Sequence, residues 1–261
     1  MPLRSLETLD RLDDATLSKR TVVILPVAAT EAHGPHLPLS TDSDIAQGHI
    51  EALEAYLDDT IDAVALPIER IGASQEHSRF AGTESLPAAA LIERWFGIAK
   101  RVAAAGCRRL VIVSSHGGNT AAVDTVILRA RAELGLLAVG TAWMRFGFPE
   151  DLYPPREKKF GIHGGAIETS LMLHYRSDAV VNGEVDDFVS RLEGIESRMH
   201  YLSGYGPHRF GWLSGDLNAA GVVGDARLGS AEKGAIHADH ILKGFAALVG
   251  EVTNFDLDWL T

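Results

Sequence analysis

The sequence predicts an α/β fold built on a mostly parallel sheet. Short apolar runs rich in β-branched residues alternate with longer amphipathic runs, and the alternation repeats four times in the order β-α. Histidines and carboxylates fall directly after several of the strand-like runs, where an open parallel sheet carries its ligands.

In order, TVVILPVA (21–28) reads as the first strand, IAQGHIEALEAYL (45–57) as a helix and AVALPIERI (63–71) as the second strand. The run LPAAALIERWFGIAKRVAAAG (86–106) predicts a helix. Ser85 is placed to cap it, Pro87 lies in its first turn, Gly106 stops it, and Leu91, Trp95, Ile98 and Val102 share one stripe. RLVIVS (109–114) follows as a strand, then a helix over 120–134, a strand near 136–143, and a helix that begins close to Gly165 and runs through IETSLMLHY. Two stretches break the pattern: 145–161, rich in Pro and aromatics, and the Gly-rich 204–229. Loops of this length in a compact domain are usually functional, and Tyr205, Phe210 and Trp212 favour packing, so both are expected to wall or cover a site. The last helix is expected from Ser230 to about Val249, with His237 and His240 on a solvated face.

One domain spanning 1–261 is expected, since α/β architectures of this length bury one large core. The formal charge of −11, with 35 acids against 24 bases, argues against a nucleic-acid partner, which needs cations to neutralise phosphates. No apolar run approaches the ~18 residues of a membrane span and MPLRSLETLDRLDD has no signal-peptide stretch, so a soluble cytoplasmic protein with no membrane partner is expected. The single cysteine, Cys107, excludes an internal disulfide framework and, lying before its strand, reads as a packed residue rather than a nucleophile.

The chemistry-bearing residues come from four segments. Glu31, His33, His36 and Asp42 follow the first strand; Ser74, Glu76 and His77 the second; Ser115, His116 and Asn119 the third; and His163 with Glu168 surrounds a helix start. In an extended segment residues two apart point the same way, so Glu31 and His33 can face one site. Mixed His and carboxylate sets suit Zn²⁺ and similar ions with a position left open for water. Glu31, Asp42 and Glu168 carry three negative charges beside the neutral imidazoles of His33 and His116. Two divalent cations and a hydroxide balance that charge, whereas one ion leaves carboxylates crowded together. His36 lies between Pro35 and Pro38 and is expected to support the loop; Glu76 and His77 also admit a structural reading.

Five motifs in sequence, VAATEAHGPHLPLSTD, GASQEHSRFAGTESL, SSHGGN, HGGAIETSLML and DLNAAGVVGDA with RLGSAEKG, resemble the creatininase family from about residue 21 to residue 235. The resemblance implies a three-layer α/β/α fold, a dinuclear metal site and a closed homo-oligomer, often a hexamer. It implies that Glu31, Asp42 and His116 hold one ion and that His33, Asp42 and Glu168 hold the other, with Asp42 bridging. It makes His163 the general acid/base, Ser74 and the backbone near Gly117 substrate contacts, and Trp143 or Met144 an aromatic wall; His77 is grouped with the substrate-side residues. Creatinine hydrolases carry Tyr-Glu directly after the histidine matching His116, where this chain has Gly117-Gly118, which counts against creatinine itself. The wider family also deformylates formamidopyrimidines and trims the mycofactocin precursor.

The expected activity is therefore hydrolysis of an amide-type C–N bond in a cyclic amide, formamide or small peptide-like substrate. Two divalent ions, Zn²⁺ first with Mn²⁺ or Fe²⁺ as alternatives, would activate a hydroxide, and His163 would protonate the leaving nitrogen. A serine-hydrolase reading of Ser114-Ser115-His116 fails for want of a G-x-S-x-G elbow. The competing reading is a non-catalytic nucleotide- or sugar-binding α/β protein that uses glycines 117–118 or 164–165, although neither pair sits in a phosphate-binding pattern.

Overall fold

The structure, a computed structural model, describes residues 2–14 and 17–260. Its elements are β1 (Leu3–Ser5), α1 (Arg11–Asp14), β2 (Val22–Val27), α2 (Thr41–Leu53), β3 (Ala63–Ala65), α3 (Ala88–Ala104), β4 (Arg109–Ser114), α4 (Thr120–Leu134), β5 (Leu137–Ala142), α5 (Pro155–Phe160), α6 (Ala166–Tyr175), β6 (Asp187–Phe188), α7 (Leu192–Glu196), α8 (Ser214–Leu217), β7 (Gly224–Asp225) and α9 (Ala231–Asn254). The first five strands form one sheet in the order β1-β3-β2-β4-β5, and every pairing is parallel.

Strand alternation divides the core into two layers, as the period of two requires. Val23, Leu25 and Val27 of β2 and Leu110 and Ile112 of β4 pack on one side against Leu91, Trp95 and Phe96 of α3 and Val123 and Val126 of α4. Val22 and Ile24 of β2 and Val111 and Val113 of β4 pack on the other side against Ile50 and Leu53 of α2 and Ile241, Phe245 and Val249 of α9. The result is a three-layer α/β/α arrangement. Leu91, Trp95, Ile98 and Val102 are all buried, as their stripe predicts.

Local chemistry explains where elements differ from expectation. Pro26 sits in the middle strand, yet it leaves no ladder bond open: its carbonyl accepts from Glu69 on the flank where β3 has already ended at Ala65. Ser85 does not cap α3; its Oγ accepts the amide of Ser74 at 2.9 Å, and Pro87 takes the cap position. Helix α2 begins at Thr41, four residues before the expected start, which places Asp42 in its first turn. His237 is buried rather than solvated, because the turn after β5 packs on α9: Nε2 of His237 reaches the carbonyl of Gly147 at 3.1 Å, and Nε2 of His240 that of Phe146 at 3.0 Å. Cys107 is buried in the first core layer, and burial pushes its thiol up to about 11. Among the described residues, no helix is long and apolar enough to cross a membrane.

Candidate metal centre

Beyond the carboxyl ends of β2, β3 and β4 the chain gathers a dense group of ionisable side chains. Glu31 and His33 come from the extended segment after β2, Asp42 from the N-terminal turn of α2, His77 from the short turn 75–77 after β3, His116 from the residue pair after β4, and His163 and Glu168 from the start of α6. Asn119 fixes three of these segments together. Its Nδ2 donates to the Ala28 carbonyl at 3.0 Å and to Ser114 Oγ at 3.2 Å, and its Oδ1 accepts the Ala73 amide at 3.0 Å. A single amide side chain thus locks the exits of β2, β3 and β4, and Gly72 leaves the room for it, since a Cβ there would lie 2.7 Å from Asn119 Oδ1.

Among the described residues, three sets of donor atoms lie within 4.8 Å of one another: Glu31, Asp42 and His116; His33, Asp42 and Glu168; and Glu31, His33 and His163. The first two share Asp42. Nδ1 of His116 is 3.1 Å from Glu31 Oε1 and 3.8 Å from Asp42 Oδ2, while Nε2 of His33 is 4.0 Å from Asp42 Oδ1 and 3.8 Å from Glu168 Oε2. Glu31 Oε2, His33 Nε2 and Asp42 Oδ2 are buried without a hydrogen-bond partner. Unpaired buried polar atoms are costly, and charge-bearing donors that converge on one space are the arrangement a cation satisfies.

Electrostatics within the group is strongly perturbed. Burial pushes the Glu31 carboxyl up, but His116, His163 and His33 together outweigh it and hold this group well below the usual carboxylate range. Burial, and then the charge of Glu31, drives Asp42 well above that range; burial also raises Glu168. Burial alone would lower His116, yet Glu31 and Asp42 carry it well above the ordinary imidazole value. Burial and then the neighbouring His163 lower both His33 and His77 to about 3.

His163 stands over this group. Its Nε2 meets the Ala32 carbonyl at 2.9 Å, its Nδ1 is 3.7 Å from Glu31 Oε1, and its ring lies 4.2 Å from that of His33 and 4.1 Å from that of His77. His77 Nε2 is itself 3.7 Å from Glu31 Oε1, although His77 belongs to none of the three donor sets. Ser74 is fully buried with an unpartnered Oγ, and Gly117 is exposed with open space where a side chain would be. His36 is a support: its Nε2 reaches the Gly164 carbonyl at 2.9 Å and Thr169 Oγ1 at 3.1 Å.

Trp143 is placed apart from this group. It is 1% exposed and packs in the second core layer, with its ring 4.7 Å from those of Phe245 and His49. The chain tightens into a turn as soon as β5 ends, and the first side chain of that turn falls inward toward α9. The aromatic wall expected at Trp143 therefore faces the core.

The family model described as Creatininase: Creatinine amidohydrolase matches residues 7–249. The chain belongs to the creatininase family. A mycofactocin precursor peptide peptidase of Mycolicibacterium smegmatis is 36% identical over 168 residues, covering 63% of this chain and 62% of the relative, so the match spans under two thirds of that protein's length. The creatinine amidohydrolase of Pseudomonas putida is 29% identical over 247 residues, 88% of this chain and 89% of the relative. A solved creatinine amidohydrolase (creatininase) superposes with a TM-score of 0.71 at 25% identity and covers 95% of both chains. Solved creatininases of this fold include one of Zn–Zn type and a Mn form. The named members are hydrolases acting on carbon–nitrogen bonds.

Within this creatininase-family site, one support has no signal in the sequence. Glu157 of α5 is 2% exposed, and its Oε1 accepts the amide of Ala166 at 2.6 Å while Oε2 accepts that of Asp225 at 2.8 Å. Glycines 161, 165 and 224 close around it: a Cβ at Gly161, Gly165 or Gly224 would come within 2.1, 2.3 or 2.7 Å of Glu157 Oε1. This carboxylate thereby sets the chain between His163 and Glu168. It lies in the stretch 145–161, where the sequence shows only a polar residue in an irregular loop.

Proposed function

We propose that this chain hydrolyses an amide-type carbon–nitrogen bond at a centre holding two divalent ions, Zn²⁺ before Mn²⁺ or Fe²⁺. One observation supports this most directly: two triads of donors share Asp42, and buried atoms of Glu31, His33 and Asp42 face that space without a partner. Glu31 and His116 would hold one ion with Asp42, and His33 and Glu168 the other. Bound there, the ions supply Lewis acidity toward water and toward an amide carbonyl.

The remaining steps belong to the chain. His163 donates its Nε2–H to the Ala32 carbonyl, which leaves Nδ1, facing Glu31, as the atom that takes up a proton and returns it to the leaving nitrogen. The rings of His33 and His77, each tilted by 35° to it, pack against His163 and help hold that orientation. A cavity of about 350 Å³ borders His33 and is lined by Ala32, Leu37, Pro38, Phe80 and Ala220, a surface suited to the uncharged flank of a small amide. Ser74 and the backbone at Gly117 would meet the substrate from the strand side.

The same reading includes a homo-oligomer. Met199, Tyr201 and Leu202 expose apolar side chains in one stretch, which supports a covered face there. The non-catalytic reading finds less support. The amide of Gly164 is taken by Glu168 Oε2 at 2.5 Å and that of Ala166 by Glu157, so two backbone donors on either side of Gly165 are occupied by carboxylates.

The test is an activity screen of metal-replete protein over cyclic amides, formamides and short peptides, with Glu31→Gln as the blank. Chelator-sensitive hydrolysis by the wild type and none by the variant is the expected result. Hydrolysis that survives Glu31→Gln would sink the proposal.

A further inference from the structure

We propose that Glu76 is a positioning residue for the ion at His116. Its carboxylate lies against the outer edge of that imidazole, favours the tautomer that the Ala73 carbonyl fixes and strengthens the ring as a ligand. The inference rests on the dinuclear reading above and concerns a carboxylate that belongs to none of the three donor sets.

The geometry begins with the two nitrogens of His116. Nδ1 turns inward to Glu31 and Asp42. Nε2 turns outward, 2.9 Å from the Ala73 carbonyl and 3.4 Å from Glu76 Oε1. A proton on Nε2 bonds the Ala73 carbonyl, faces the Glu76 carboxylate and leaves the Nδ1 lone pair for an ion. Ligating histidines use their second nitrogen in this way, and a negative partner there raises the basicity of the first.

Glu76 reaches this place from a different segment, the short turn after β3. That turn is held from the far side, because Ser214 Oγ at the start of α8 donates to the Glu76 carbonyl at 3.1 Å. Gly118 makes the approach possible. A Cβ at that position would lie 2.3 Å from the Ala73 carbonyl oxygen, 2.4 Å from His116 Nε2 and 2.9 Å from Glu76 Oε1, so any side chain would wedge between the imidazole and its two acceptors. The Glu76 side chain is 21% exposed, against 0% for Glu31 and 2% for Asp42, so it stands at the outer edge of the group. Gly118, close after His116, and the acid two strands' exits away are thus parts of one device.

The experiment measures Zn²⁺ affinity by competition with a chromophoric chelator for wild type, Glu76→Gln and Glu76→Asp, with thermal unfolding of each metal-free protein alongside. Glu76→Gln should weaken one of the two Zn²⁺ sites by roughly 10- to 100-fold and leave the other within about threefold. Glu76→Asp should fall in between, and the metal-free unfolding temperatures should coincide. The absorption spectrum of the Co²⁺-loaded protein should shift for Glu76→Gln. Unchanged affinity at both sites would overturn the inference, as would equal loss at both together with a lower metal-free unfolding temperature. A wild type that binds no divalent ion would instead overturn the preceding reading, and is recognised before any variant is compared.

Discussion

Two groups of buried histidines in this molecule resemble each other in burial and differ in what surrounds them. At the strand exits, His33 and His77 are pushed to about 3 by burial and their neighbours; between α2 and α9, burial pushes His49 to about 3 and His237 to about 4. Both groups leave ring nitrogens unpartnered, His33 Nε2 and His77 Nδ1 in one, His49 Nε2 and His237 Nδ1 in the other. The first group faces Glu31, Asp42 and Glu168. The second faces the Tyr175 hydroxyl at 2.8 Å, the Gly147 carbonyl and the rings of Trp143, Tyr153 and Phe148. A buried imidazole is by default a neutral packed ring, and it is the converging carboxylates that turn the first group into a seat for cations.

The sharpest way to break that contrast is to remove the shared carboxylate. Asp42→Asn should reduce bound Zn²⁺ from about two ions per chain to fewer than one and lower turnover by more than ~10³, by metal analysis and steady-state kinetics. Asp42 lies well above the usual carboxylate range in the metal-free chain, so the neutral amide should leave the metal-free unfolding temperature unchanged or raised. Loss of the fold instead would show that Asp42 has a structural task.

His163→Ala comes next. If Nδ1 moves the proton, turnover should drop by ~10²–10⁴ while both ions stay bound. Parallel loss of an ion would make His163 a ligand in the set it forms with Glu31 and His33.

The smallest effect belongs to the second group. The folded chain keeps His49 and His237 neutral, whereas the unfolded chain takes up protons near the ordinary value of 6.5. The stability that comes from these neutral rings is whole above pH 6.5 and declines as pH falls toward their folded values. His49→Leu should cost about 1–3 kcal/mol at neutral pH through the lost Tyr175 bond and altered packing, flatten part of the acid decline, and leave Zn²⁺ affinity unchanged. Coupled loss of Zn²⁺ affinity would erase the distinction between the groups.

Much of this architecture was legible in the sequence because periodicity and stop signals were strong. Helix α4 runs over 120–134 as predicted, and α3 differs from 86–106 only at its ends. Strand β1 escaped notice because three residues show no period, and β3 was read too long because Ile68 and Ile71 continue an apolar pattern after Pro67 has broken the ladder. The donors could be gathered from sequence because each follows a strand or opens a helix. The supports were less legible: Asn119 stands out after its strand but its task does not, Glu157 gives no signal at all, and only the folded backbone shows what both side chains reach. His237 and His240 were misread for the same reason, since the turn that covers them comes from about 90 residues earlier.

The carboxylate of Glu157 has a mechanical consequence. It stands in the stretch 145–161, grips the first turn of α6, and holds β7 inside the stretch 204–229. The two irregular stretches are therefore riveted at one point, with three glycines as the washers, and that point is the root of the helix bearing Glu168. Under the proposed function, a displacement of either stretch would be passed to the segment that bears Glu168 through this buried carboxylate, a rigid link rather than a flexible flap.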